Sequence, residues 1–508
     1  MGQSAEEDYA RGGCVGRTKK EGGKLNEKNM SELHGRRQIF SAANTITADN
    51  IVKEVNEALA IHMRNCAEID YLYWYRRGIQ PILSRTKAVR PEINNRITEN
   101  HAEEIVSFKN GYFLTEPAFY ISRKDDEGVY EKVSRLNEYL YTSGKHEADC
   151  EVVDWFHTVG IAPIIIQPND SEEKPVEVFA LDPRSAFVVY SRKVGNKPLF
   201  AVNIVIIDEK TAAIDVFTNK YVYRLAGGFT QKEGAFVTAS KVLKVEPNTV
   251  NYIPIIEYRY NTNGLGAFET VIPLLDAINN VTSNRVDGIE QFIQSLAVAT
   301  NCNFEEGVTA NEIREAGMLL LTSTGENKAD FKILSEQLNQ SETQVFVDYL
   351  YQQVLTICGM PSTTKGGTST SDTGAAVLAR DGWYQADNVA RNTEDLFKKA
   401  NKLFDEIFIS ILKRKVGLDI SISDFEIQFV RNETANVLAK AQAASTMLSA
   451  GFAPELAFAK SGISNDPVSD VNVSRKYLQM IYGDPDAPKE KAKVDNVANV
   501  VDTAQGGV

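Results

Sequence analysis

Apolar residues at Ile51, Val55, Leu59, Ile61 and Met63 recur at helical spacing, and Tyr71, Tyr73, Trp74 and Tyr75 follow; together they predict a core-packing helix over 49–77. A second helical pattern runs from about Asn100 to Phe108, with Asn110-Gly111 expected as its C-cap, and a third covers 128–143 through Val129, Val133, Leu136, Tyr139 and Leu140. From about 150 to 260 the period shortens. Ile161 to Ile166, Val176 to Leu181, Phe187 to Tyr190, Phe200 to Ile207, Ala213 to Phe217, Tyr221 to Leu225 and Ile253 to Tyr258 are β-rich runs broken by turns such as Pro168-Asn169-Asp170. They predict a mixed, largely antiparallel sheet region.

After Asn263-Gly264 the helical period returns through Phe268, Val271, Ile272, Leu275 and Ile278, and again through Ile289, Phe292, Ile293 and Leu296. Between these lies a polar waist of Asn279, Asn280, Thr282, Ser283, Asn284 and Arg285. One helix of about 30 residues would be about 45 Å long. Its waist lines a channel or pairs with a neighbouring chain; Asn280, Asn284 and Arg285 are the candidates for pairing, because their side chains hydrogen-bond between helices. A small α/β insert is expected at 297–339 and a further helix at 341–358.

Residues 359–374 are small, polar and rich in glycine, and loops this long inside a domain are usually functional or disordered. A very long helix is expected from about 375 to 415. Val389, Leu396 and Leu403 form one seam and Phe397, Phe404 and Ile411 another; Gly382 is a candidate kink, and Glu394, Asp395, Lys398, Lys399, Lys402, Asp405 and Glu406 a mostly solvated face. Ile420 to Val430 reads as a strand, and helices follow at 433–450 and 454–461. Residues 1–35 and 483–508 carry few apolar side chains and read as a disordered arm and tail.

Composition narrows the function classes. The 508 residues carry a formal net charge of −13, which argues against tight gripping of DNA through a basic patch. No run of about 18 apolar residues predicts a membrane span, and the N-terminal residues have no apolar core of a secretory signal. The five cysteines form no CxxC pair and the five histidines no metal-ligand spacing, so neither a metal nor another cofactor is expected. Neither a phosphate-binding GxxxxGK[ST] loop, an HExxH helix nor a GxSxG elbow occurs. Asp154 and His157, one helical turn apart, read as a local helix pair rather than an acid and base. No catalytic residue is expected.

The order of elements and four stretches together resemble the SPP1-type phage portal proteins. The stretches are Asn94-Asn95-Arg96 through Asn110-Gly111-Tyr112-Phe113 to Pro117; Leu181-Asp182-Pro183-Arg184 leading to Phe187-Val188-Val189-Tyr190; Gly266-Ala267-Phe268-Glu269 through Asn279 and Ser283-Asn284-Arg285 to Phe292; and Gly359-Met360-Pro361 before the polar loop. The resemblance covers about residues 50–480.

That resemblance implies an α+β, ring-forming portal fold. It places a wing over 36–262, stem helices at 263–296 and 340–358, a small α/β clip at 297–339 and a tunnel loop at 359–374. A long helix and returning wing strand would occupy 375–431, and a helical crown 432–482. It implies a dodecamer at one capsid vertex of the virion, assembled in the host cytoplasm. Double-stranded DNA would pass without sequence recognition, and terminase, scaffold, major capsid and head-completion (adaptor) proteins would dock. No membrane is involved.

Ser362, Thr363, Thr364, Lys365, Gly366, Gly367, Thr368, Ser369, Thr370, Ser371 and Asp372 would face DNA; hydroxyls offer hydrogen bonds to phosphate without fixed charge. Lys365 is the one cation and Asp372 the one anion of that run. Glu305, Glu306, Glu312, Arg314 and Glu315 would form the motor-docking surface of the clip, or an ordinary solvated face. The competing readings are a packaging nucleoside triphosphatase or nuclease with degenerate motifs, and another capsid or scaffold component. The first is disfavoured because the Gly-rich loop joins two helices rather than a strand and a helix.

Overall fold

A computed structural model describes residues 35–482 apart from 89, 115, 125, 209, 232–234, 294–295, 301, 304–321, 324–329, 335–339, 363–381, 430–436 and 465–466. The expected arm, apart from Gly35, and the expected tail therefore lie outside the described residues. The chain divides into two compact units after Asn432.

In the first unit, strand β1 (Ile39–Ser41) precedes α1 (Ile51–Arg76), α2 (His101–Phe113), β2 (Phe119–Ser122), α3 (Glu127–Thr142) and α4 (Lys145–Val159). Eight strands follow: β3 (Ile161–Pro168), β4 (Val176–Ala180), β5 (Ala186–Ser191), β6 (Pro198–Ile206), β7 (Thr211–Phe217), β8 (Tyr221–Gln231), β9 (Ala235–Pro247) and β10 (Ile255–Arg259). Helix α5 (Ile272–Ile293) leads to β11 (Leu296–Thr300), β12 (Cys302–Asn303), β13 (Thr322–Ser323) and β14 (Asp330–Leu334); then come α6 (Gln340–Cys358), α7 (Trp383–Lys415) and β15 (Phe425–Gln428).

The sheet region is mixed and largely antiparallel, as its short β-rich runs predict. The six-stranded sheet runs β1-β5-β6-β7-β8-β9. Only the β1–β5 pair is parallel. Strands β10, β3 and β4 form an antiparallel three-stranded sheet. β11 pairs β14, β12 pairs β13 and β15 pairs β2, all antiparallel.

Three large cores and a small fourth (Ile165, Val188, Ala201, Ile253 and Ile255) hold this unit. The first half of α1 (Ile51, Val55, Leu59) packs on the six-stranded sheet at Phe200, Val202, Ile214 and Leu225. Its second half (Ile69, Leu72, Tyr75) packs with α2, α5 and α6. Helix α1 thus ties the sheet to a helical hairpin. The third core gathers α3, α4, the three-stranded sheet and Phe397, Phe404 and Ile411 of α7, the side chains of one predicted seam.

Several boundaries differ from the sequence expectations. The segment from 145 to 159 is helix, not the start of the β region, because Ala148, Val152, Val153 and Phe156 form one buried stripe. Helix α2 runs through Asn110-Gly111 to Phe113, since buried Phe113 anchors one more turn. The first stem helix begins at Ile272 after a tight turn at Glu269–Val271 and ends at Ile293, so it is 22 residues long rather than about 30. Gly382 caps the described start of α7 with φ +85°, and the expected helical residues before it, 375–381, lie outside the described residues. On α7, Glu394 and Asp405 are buried rather than solvated: Asp405 accepts from Tyr120 and Asn401 inside the third core.

The second unit holds α8 (Val437–Ser449), α9 (Pro454–Ser461) and α10 (Pro467–Tyr482). Pro454 begins α9, where its missing N–H costs nothing, and Gly462 at φ +66° ends it. Arg475 of α10 reaches Glu455 of α9 at 3.3 Å.

Candidate functional site

Helices α5 and α6 form an antiparallel hairpin. Leu275 and Ile278 of α5 share a core with Val347, Leu350 and Val354 of α6. Cys358 Sγ at the end of α6 donates to the Ala267 carbonyl just before α5, at 3.6 Å.

The end of α6 is built to stop sharply. Gly359 takes φ +64°, a conformation glycine adopts without the Cβ penalty of other residues. The Gly359 N–H donates to Thr356 O at 3.2 Å and the Met360 N–H to Leu355 O at 2.8 Å. This is a Schellman closure, which satisfies carbonyls left open at a helix end. Lys109 of α2 adds a charged cap, its buried Nζ donating to Cys358 O at 2.8 Å. Burial pulls this ammonium down to about 8, opposed by its neighbour Cys358. The Cys358 thiol is pushed up by burial to about 11.

The described residues on either side of 363–381 come together. A Cβ on Gly382 would lie 3.7 Å from Pro361 Cα, and one on Gly359 would lie 2.8 Å from Val389 Cγ2 of α7. Ser362 donates to Gln352 Oε1 of α6 at 2.5 Å. Trp383, opening α7, lies 6.2 Å from the ring of Phe108 and 6.0 Å from that of Tyr112, both on α2. The polar segment therefore leaves α6 and re-enters α7 at one place, braced by α2. Of the predicted loop residues, Ser362 is among those described; 363–372 lie outside them, as do Glu305, Glu306, Glu312, Arg314 and Glu315 of the clip.

The polar waist of α5 has a partner that sequence reasoning missed. Residues 85–88 and 90–99 form a strap along the helix, extended from Asn94 to Glu99. The N–H groups of Asn95, Ile97 and Glu99 donate to Asp287 Oδ1 (2.7 Å), Ser283 Oγ (3.0 Å) and Asn279 Oδ1 (2.8 Å). All three acceptors are buried. The registers match physically: two extended residues span about 6.6 Å and four helical residues about 6.0 Å. Lys87 and Arg85 pair with the same Asp287 carboxylate, and the ammonium of Lys87 and the Asn95 donors hold its pKa below the usual range against the effect of burial.

Asn280, Asn284 and Arg285 lie on this helix. Asn280 donates to the Asp276 carbonyl one turn back at 2.9 Å. Asn284 accepts from Arg85 of the strap, and Arg285 donates to Gln344 of α6. Asn280 and Asn284 remain exposed.

His101, opening α2, joins three elements. Its Nδ1 meets Glu104 at 2.8 Å and its Nε2 meets Glu99 of the strap at 3.1 Å. Its ring lies 4.6 Å from that of Tyr351 on α6. Burial disfavours the imidazolium, but the two carboxylates override it and raise its pKa to about 9.

Asp154 and His157 do not act as a pair. Asp154 accepts both from Arg76 and from Asn110, and His157 Nδ1 meets Asn110 Oδ1 at 2.7 Å. Burial drives His157 far below its ordinary pKa, with Lys109 and Arg76 adding to the effect. Among the described residues, no group of three or more His, Cys, Asp or Glu is placed to hold a metal, and no helix is long and apolar enough to cross a membrane.

Comparison with known proteins gives one family. The profile described as phage portal protein, SPP1 Gp6-like, matches residues 56–472. No curated protein matches the chain. Among solved structures, a chain described as "Neck of empty GTA particle computed with C6 symmetry" is similar with a TM-score of 0.41 and 11% identity, covering 72% of this chain and 90% of that one.

Proposed function

The chain belongs to the SPP1 Gp6-like phage portal proteins, and we propose that its copies close into a ring, a dodecamer, at one capsid vertex, through which duplex DNA enters and leaves. As a portal protein it is a structural component of a phage particle. In this reading residues 36–262 are the wing, α5 and α6 the stem, 297–339 the clip and 432–482 the crown. Residues 359–374 are the tunnel loop. The single observation that carries the reading is the family match over 56–472. The closeness of Pro361 and Gly382 supports it, because a loop between two packed helices starts and ends at one place.

Charge suits sliding rather than gripping. Each phosphate neutralised by Lys or Arg adds salt-dependent affinity, and a dodecamer multiplies a formal charge of −13 twelvefold. The hydroxyls of the loop track the DNA backbone without reading bases. Glu305, Glu306, Glu312, Arg314 and Glu315 of the clip dock the terminase, which supplies ATP hydrolysis; the ring itself catalyses nothing. Scaffold, major capsid and head-completion proteins are its other partners, and assembly takes place in the host cytoplasm.

The test is DNA packaging by heads assembled with and without the chain. Full-length DNA inside heads only when the chain is present supports the reading. DNA-filled heads without it, or ATP hydrolysis by the purified chain alone, contradict it.

A further inference from the structure

Helix α6 has two apolar faces and uses one. Val347, Leu350 and Val354 are buried against α5. On the other side Val345 (68% exposed), Phe346 (50%), Tyr349 (57%) and Ile357 (55%) form a second stripe that nothing in the described chain covers. Contiguous exposed apolar surface of this kind marks an interaction site. The outward stripe of α5 is of the opposite kind: Pro273, Asn280, Asn284 and Gly288 are small residues, none of them buried.

Resting on the ring reading above, we infer that the α6 stripe of one copy seats on the α5 stripe of the next, with Phe346 and Tyr349 as the anchors. Three observations carry this. The first is shape: large side chains on one face, small ones on the other, so the contact joins two different surfaces. Such head-to-tail contacts close into rings when the rotation permits.

The second is height. Arg285 bonds Gln344 across the antiparallel hairpin and Cys358 bonds Ala267, which puts Tyr349 level with Asn280 and Phe346 between Asn280 and Asn284. Rotation about an axis along the hairpin preserves height, so each bulky side chain meets the small residues at its own level in the neighbour.

The third is charge. Helix α6 carries Glu342 and Asp348, both exposed, and no cation. The strap beside α5 carries Arg85, Lys87, Arg90 and Arg96 against two acids, Glu92 and Glu99, and of the four cations Arg85 and Lys87 already pair with Asp287. Arg96 is exposed and sits between the Asn95–Asp287 and Ile97–Ser283 bonds, hence at the height between Glu342 and Asp348. Complementary charge of this kind sets which surfaces meet.

The experiment compares the full-length wild type with Phe346→Asp/Tyr349→Asp by analytical ultracentrifugation. Loss of two aromatic anchors is expected to raise the dissociation concentration by about a hundredfold or more, with an unchanged circular-dichroism spectrum because both positions are exposed. Phe346→Leu should keep the oligomer. In a Cys14→Ser/Cys150→Ser/Cys302→Ser background, Tyr349→Cys with Asn280→Cys should give a ladder of disulfide-linked oligomers, and each single cysteine no ladder. Unchanged rings in the double aspartate variant, or covalent dimers from Tyr349→Cys alone, overturn this contact while the ring reading stands. A wild type that stays monomeric at every concentration and forms no ladder overturns both.

Discussion

Asp287 of α5 accepts the backbone N–H of Asn95 at 2.7 Å while its other oxygen holds Lys87 and Arg85. One carboxylate thereby fixes both the register and the charge of the strap. Truncation leaves a backbone donor and two cations without their partner. Asp287→Ala should destabilise the protein by about 1–3 kcal/mol, and Asp287→Asn by less, since an amide oxygen still accepts from Asn95. Urea unfolding gives the stability, and hydrogen exchange at 95–99 should rise in the alanine variant. Unchanged exchange there would contradict the strap.

His101 gives the hairpin a pH dependence of known sign. Its pKa is raised from 6.5 to about 9 in the folded chain. The folded state therefore holds the proton more tightly, and the stabilisation is complete below 6.5 and lost as pH rises through about 9. The stability advantage of wild type over His101→Gln should shrink steadily between about pH 6 and about pH 10. Denaturation at several pH values measures it. An advantage that grows with pH would refute the pairing with Glu99 and Glu104.

Gly359 is constrained twice, by φ +64° and by Val389 Cγ2 at 2.8 Å from where a Cβ would stand. Gly359→Ala should cost about 1–2 kcal/mol for the left-handed backbone alone, with a packing cost added. Val389→Ala in that background should return the packing part and leave the backbone part. Melting temperatures of the two variants separate these terms.

Lys365 is the one cation between Ser362 and Thr373. If the loop tracks the DNA backbone, Lys365→Ala should reduce packaging or retention of DNA in assembled heads and weaken the salt dependence of that step. Unchanged packaging and retention would mean that the charge of the loop is irrelevant.

Much of this architecture can be read from periodicity. The Phe397, Phe404 and Ile411 seam of α7 and the β-rich runs of 161–217 are patterns of side chains, and side-chain patterns are what a sequence displays. The strap is not. Its bonds run from backbone N–H groups of Asn95, Ile97 and Glu99, which every residue but proline possesses, so no residue type announces them. The acceptors do show a signal in hindsight: Asn279, Ser283 and Asp287 fall at i, i+4 and i+8 on one helix face. That stripe of short polar side chains holds a segment of its own chain, beside the Asn280, Asn284 and Arg285 that the sequence offers for pairing with a neighbouring copy. Asp405 misled for a related reason. Beside Lys398, Lys399 and Lys402 it reads as surface charge, yet the packing of α7 turns it toward Tyr120 and Asn401, and burial raises its pKa to about 7.

The mass and symmetry of the purified protein, by native mass spectrometry with electron-microscope class averages, decide whether this portal protein is a ring. The account predicts a closed ring with an axial hole wide enough for duplex DNA and a mass that is a whole multiple, twelvefold, of 56.3 kDa. A compact dimer that hydrolyses ATP or cleaves DNA would contradict it.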